Sequence, residues 1–181
     1  MNTRWTRWCL LLVALGGAPL ALALDARAAT VGDSAPDARV EDADENKLWV
    51  SDLSGSVAVI FYEDKDSGET NREMKDELAS LMAEDGMGGI RVVPIADVTE
   101  YNSWPAKGFV KKAIREESKK VGLTIYCDWD GSFREKLDLS KGTSNVVVLA
   151  KDGTVRFADS GGLSGESRKQ VLSILRAEMK K

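Results

Sequence analysis

The chain has no histidine and only two cysteines in 181 residues. One of the two, Cys9, falls in a leader-like stretch, so Cys127 is the sole cysteine expected in a processed product. Without histidine, the common catalytic triads, imidazole acid/base chemistry and the usual zinc sites are removed or much weakened. A lone cysteine cannot close an intramolecular disulfide. Long apolar runs are also missing apart from Cys9 to Leu24. That run is about sixteen residues and is interrupted by Gly16, Gly17 and Pro19, so it is short for a membrane span. There is no internal repeat, low-complexity segment or long linker, which predicts one folding unit.

What is present at the N-terminus sets the expected compartment. Arg4 and Arg7 precede the apolar run, and Ala26, Arg27 and Ala28 form a small-residue cleavage signal. Residues 1–28 therefore read as a Sec-type signal peptide and residues 29–181 as a single periplasmic domain, with no membrane attachment after cleavage. Arg4 and Arg7 are not adjacent, against a twin-arginine route, and Arg7 and Trp8 before Cys9 argue against lipid anchoring. Residues 1–28 carry three of the 25 basic and one of the 29 acidic residues, so the remainder has a formal charge of about −6. An exported acidic domain disfavours nucleic acid as a partner.

Strand-length runs rich in Val, Ile and aromatics occur at Val57–Tyr62, Ile90–Ile95, Leu123–Cys127, Val146–Ala150 and Thr154–Phe157. Met74, Leu78, Leu81 and Met82 give helical spacing over Thr70–Glu84. A second helix is predicted from Pro105 to Val121 with an apolar face of Phe109, Val110, Ala113 and Ile114, stopped by Gly122. Phe133 and Leu137 suggest a short third helix, and Val171, Leu172, Leu175 and Met179 give the buried side of a last helix over Gly165–Met179. Asp152 and Gly153 form a hairpin turn between the last two strands, which are therefore antiparallel. The earlier strands, separated by helices, call for parallel crossovers. This α/β order, a central mixed sheet flanked by helices, is that of the thioredoxin fold. On the second helix, Lys111, Lys112, Arg115, Lys119 and Lys120 alternate with Glu116 and Glu117 and read as a solvated face. Trp49, Trp104 and Trp129 read as packing residues.

The stretch VGDSAPDARVEDADENKLWVSDLSGSVAVIFYE, beginning at Val31, resembles the opening region of the thioredoxin-like and redoxin superfamily. It implies a small N-terminal β-hairpin before the first core strand. GTSNVVVLAKDGTVRFADSGGLS resembles the loop and hairpin that close such domains. A narrower resemblance, carried by GFVKKAIREESKK, CDWDGSF and SNVVVLAKDGTVRFADSGGLS, is to the YtfJ family of bacterial periplasmic proteins. Some members of that family carry a regulator label, which the leader and the acidic charge oppose here.

In a redox-active relative of this superfamily a CxxC opens the first long helix, whose N-terminus stabilises the thiolate. The resemblance places Asp66 and Glu69 at those two positions. Asp66 or Ser67 then serves as a helix N-cap, or Asp66, Ser67, Gly68 and Glu69 keep a binding pocket with Ser144 and Asn145, or the carboxylates act as acid and base. Ser144 stands where the superfamily places a cis-proline, and a trans peptide is expected before it. Cys127 is a small buried hydrophobe, an intermolecular disulfide partner or a reactive thiol. Asp128, Asp130 and Ser132 fail the calcium-loop pattern, because Phe133 and Leu139 stand where Gly and Glu are required, and read as helix-capping turn residues. No metal and no cofactor is expected. The overall expectation is a protein without CxxC chemistry that binds an unknown periplasmic protein or small ligand. The alternative is a single-cysteine thiol peroxidase or redox protein using Cys127.

Overall fold

Central strands that are covered on both faces read as continuous apolar runs, since neither set of alternating side chains meets water. Ala58–Glu63 and Asn145–Leu149 are of this kind, and every residue from Ala58 to Tyr62 and from Asn145 to Leu149 is buried. A computed structural model of the chain describes residues 30–181; the leader expected over residues 1–28 lies outside the described residues. The strands are β1 (Arg39–Asp42), β2 (Lys47–Trp49), β3 (Ala58–Glu63), β4 (Arg91–Asp97), β5 (Tyr126–Asp128), β6 (Asn145–Leu149) and β7 (Val155–Ser160). The helices are α1 (Arg72–Met82), α2 (Ala106–Val121), α3 (Ser132–Lys136) and α4 (Gly165–Met179). One sheet of seven strands has the order β2-β1-β5-β4-β3-β6-β7. β3, β4 and β5 run parallel, and β6 pairs antiparallel with β3 and β7. The hairpin β1–β2 adds antiparallel to β5, so the expected mixed α/β sheet with an N-terminal hairpin is what forms.

The two-residue period of the strands sorts the core into two layers. Ala58, Ile60, Tyr62, Val93 and Ile95 face α3 and the hairpin, with Phe133 and Leu137. Val57, Val59, Phe61, Val146 and Val148 face α1 and α4, meeting Met74, Leu78, Leu81, Val171 and Leu175. Both βαβ crossovers are on this second face. The β6–β7 turn forms as expected: Gly153 takes φ 79° and Asp152 Oδ1 accepts from the Thr154 amide at 2.9 Å.

The structure corrects four expectations. The third core strand starts at Tyr126, not Leu123: Gly122 closes α2 in a left-handed cap, and the Ile125 amide donates to Ser118 Oγ, tying this segment to α2 instead of the sheet. Phe109 and Ala113 do not pack as a buried apolar face; Phe109 is 73% exposed, and no residue of α2 is fully buried. Trp104 is 93% exposed and Trp49 also reaches solvent, whereas Trp129 packs as expected. The basic cluster is not simply solvated. Lys111 pairs with Glu45 and Arg115 with Asp44 at 2.6 Å, joining α2 to the β1–β2 turn.

Candidate functional site

The C-terminal end of β3 delivers the chain into a series of turns that fills residues 64–71 before α1 begins at Arg72. An acidic residue at the head of these turns can collect the amides that follow it. Asp64 does so: its Oδ1 accepts from the Ser67 hydroxyl at 2.7 Å and from the amides of Ser67 and Asp66 at 2.8 and 3.1 Å. The Ser67 hydroxyl, foremost, and these amides hold the Asp64 carboxyl below its ordinary pKa. Neither Asp66 nor Ser67 caps α1; Asn71 is the residue at its N-cap, and the turns separate both expected positions from the helix. Asp66 points to solvent, Ser67 is buried, and Glu69 makes an exposed ion pair with Arg72 at 3.3 Å.

Ser144 and Asn71 meet beneath these turns. The Ser144 hydroxyl donates to Glu63 Oε1 at 2.8 Å and accepts from Asn71 Nδ2 at 2.8 Å. Lys75 Nζ donates to the other Glu63 oxygen at 2.6 Å and to the Gly68 carbonyl at 2.7 Å. Asn71 also donates to the Gly161 carbonyl and accepts from the Leu163 amide. Asn145 is engaged separately, donating to the Ser140 and Thr143 carbonyls and accepting from the Ser140 amide and the Ser160 hydroxyl. Among the described residues the one cis peptide precedes Pro105, so the Thr143–Ser144 peptide is trans. Ser144 is 0% exposed, so its hydroxyl is no accessible nucleophile. Glu63, Asn71 and Lys75 escaped the sequence reading. Their polar character at the end of an apolar run and at a helix start was visible, but Ser144, which joins Glu63 to Asn71, is distant in the chain.

Two further buried groups lie elsewhere on the sheet. The Tyr62 hydroxyl donates to Asp128 Oδ2 at 3.1 Å, and Asp128 also accepts from the amides of Gly131 and Arg134, closing the turn into α3 as expected. Burial raises the Asp128 pKa, and burial followed by the Asp128 charge raises that of Tyr62. Cys127 is 1% exposed, on the α2 side of β5 beside Trp129 and Val98. Burial, then the Glu41 charge, pushes its thiol up to about 12. β5 lies two strands from β3, roughly 10 Å at ~4.8 Å per strand, so Cys127 is remote from the turns of residues 64–71.

Beside this polar network the same sheet face is open. Between α1 and α2 runs a groove of about 1000 Å³. Val92, Pro94 and Ala96 of β4 form its floor, Ala79 and Met82 one wall, and Ala113 and Val121 the other. Its upper end reaches Gly68, Glu69 and Lys75, so two of the expected site positions border it. The groove exists because α2 packs over β5, with Val110 and Ile114 against Cys127 and Trp129, and is tied to the hairpin by ion pairs, while Pro94 and Ala96 are too short to fill the space left between it and α1. Among the described residues no helix is long and apolar enough to cross a membrane, and no group of His, Cys, Asp and Glu is arranged to hold a metal ion.

A family model described as "Bacterial protein of unknown function (YtfJ_HI0045)" matches residues 38–178. None of the curated proteins matches the sequence. Among solved structures, an uncharacterized conserved protein from Geobacillus kaustophilus is similar at 16% identity and TM-score 0.62, over 83% of this chain and 82% of that one. An exposed pneumococcal lipoprotein thioredoxin from Streptococcus pneumoniae is similar at 15% identity and TM-score 0.57, over 78% and 98%. The thioredoxin domain of a thiol-disulfide oxidoreductase from Bacteroides vulgatus is similar at 14% identity and TM-score 0.55, over 80% and 96%. The fold is thioredoxin-like.

Proposed function

Since the chain belongs to the YtfJ_HI0045 family of bacterial proteins, we propose that it is an exported, non-catalytic binding protein that uses the groove between α1 and α2. One observation carries the reading: beneath the turns that hold Asp66 and Glu69, the two positions matched to a dithiol, lies a closed polar network, Lys75–Glu63–Ser144–Asn71, whereas the apolar groove beside it has no occupant from the described chain. Disulfide exchange needs an accessible thiolate. Cys127 is buried with its thiol pushed up to about 12, which supports inert packing over the peroxidase alternative. Export is supported by the leader pattern of residues 1–28.

A groove of this size with apolar side chains on its floor and walls and charged ones among them fits the general form of a ligand site. The test uses purified protein with the neutral fluorophore N-phenyl-1-naphthylamine. Binding should be saturable, and Ala79→Trp, on an exposed position of the wall, should weaken it at least ten-fold without changing the circular dichroism. In the same samples iodoacetamide at pH 8 should leave Cys127 unmodified until denaturant is added. No dye binding, or rapid alkylation of the folded protein, would overturn the reading.

A further inference from the structure

The groove's surroundings restrict what can lie in it, and the inference that follows rests on the groove being the binding surface. Its floor is the face of a sheet and its walls are the sides of two helices, so an occupant meets side chains and no strand edge. An extended peptide there would leave its own amides and carbonyls unpaired at an apolar surface, at a cost of about 1–3 kcal/mol each. The occupant must satisfy its backbone internally or have none. The groove is also a trough open along its length, so its contents keep one side in water. An amphipathic helix meets both conditions, burying one face and solvating the other. The shorter wall, α1, has 11 residues, or about 16 Å at ~1.5 Å per residue, which matches three helical turns.

Charge then selects the polar face. Nine charged side chains line the trough, and six of them are carboxylates. Two pairs within the lining cancel, Lys75 with Glu63 and Arg72 with Glu69, which leaves Lys65 against Asp64, Asp76, Asp97 and Glu117; Asp97 also approaches Arg134 and Glu117 also meets Lys120 from outside the trough. Asp76 on α1 and Glu117 on α2 place acidic groups on both walls. We propose that the α1–α2 groove receives a cationic amphipathic helix, about three turns long, from a partner protein.

The test measures fluorescence anisotropy with synthetic labelled peptides made of leucine and lysine. One has leucine at helical spacing (i, i+3, i+4, i+7), one has the same composition in strict alternation, and a third has the helical spacing with glutamate in place of lysine. The helical lysine peptide should bind at least ten-fold more tightly than either other peptide. Ala79→Trp should weaken it at least ten-fold. The exposed double substitution Asp76→Lys/Glu117→Lys should weaken the lysine peptide and strengthen the glutamate one, a reversal that loss of fold would not produce. Equal binding of all three peptides, with the naphthylamine dye still displaced, would overturn the helix assignment and leave the groove reading standing. Concentration-dependent dimerisation abolished by Ala79→Trp would assign the groove to a second copy of the chain and overturn the proposal. Failure of dye and peptides alike would remove both readings.

Discussion

Ser144 is held at both ends of its hydroxyl, and the consequence of losing it follows from its partners' burial. Removing the oxygen strands Glu63 Oε1 and Asn71 Nδ2 in a site closed to water, and an unsatisfied buried polar group costs more than the lost bond contributed. Ser144→Ala is expected to destabilise by about 1–3 kcal/mol in urea unfolding, whereas Asp66→Ala, at a solvent-facing turn position, should stay within about 0.5 kcal/mol. Asp64 gives a pH signature. Its folded carboxyl is held below the ordinary value of 3.8, chiefly by the Ser67 hydroxyl, so the ionised form is favoured by folding. Its stabilisation is complete above that value and lost as pH falls through the lowered folded one. Asp64→Ala should therefore cost about 1 kcal/mol at pH 7, shrinking progressively below pH 3.8 in unfolding titrations run from pH 7 to pH 2. Asn71 shows what the sequence hid at this scale. An Asn at a helix start announces an N-cap, and it is one by position. Yet its side chain makes no cap bond and reaches Ser144, Gly161 and Leu163, a choice set by where the β6–β7 region packs.

At the level of elements, α1 and α4 were legible because their apolar residues recur at helical spacing and are buried against the sheet. α2 has the same kind of pattern and a different fate. Phe109 satisfies the periodicity and remains in solvent, because α2 packs through Val110 and Ile114 against Cys127 and Trp129, and three ion pairs hold it in that orientation: Lys107–Glu41, Lys111–Glu45 and Arg115–Asp44. Periodicity reports which residues are apolar together, and only tertiary structure reports which of them meet the sheet. Exposed pairs of this kind contribute roughly 0.2–1 kcal/mol each and are screened by salt. α2 should consequently exchange its amides faster than α4 in native-state hydrogen exchange, and 1 M NaCl should accelerate α2 preferentially. Equal protection of the two helices at both ionic strengths would contradict this account. The β1–β2 hairpin is the converse case: its strands of 4 and 3 residues were too short for pattern alone, and resemblance supplied them.

Across the whole molecule, the alternation of Ala58, Ile60 and Tyr62 against Val59 and Phe61 ties both core layers to the same strand, so the order of elements followed once the runs and turns were recognised. The groove was not legible, because a void is a relation among α1, α2 and β4, and the one residue unusual for its element, Pro94 within a strand paired on both sides, does not by itself announce it. The same distance between pattern and arrangement decides whether the chemistry of the structural neighbours could be retrofitted. Cysteines installed at positions 66 and 69 would lie on turns outside the helix, which begins at Arg72, and would lack the helical amides that make a thiolate cheap. Beneath them the Glu63 carboxylate would remain locked to Ser144 and Lys75. Building a dithiol centre at these positions would thus mean moving a helix start and dismantling a hydrogen-bond network at once, two changes that no single substitution makes together.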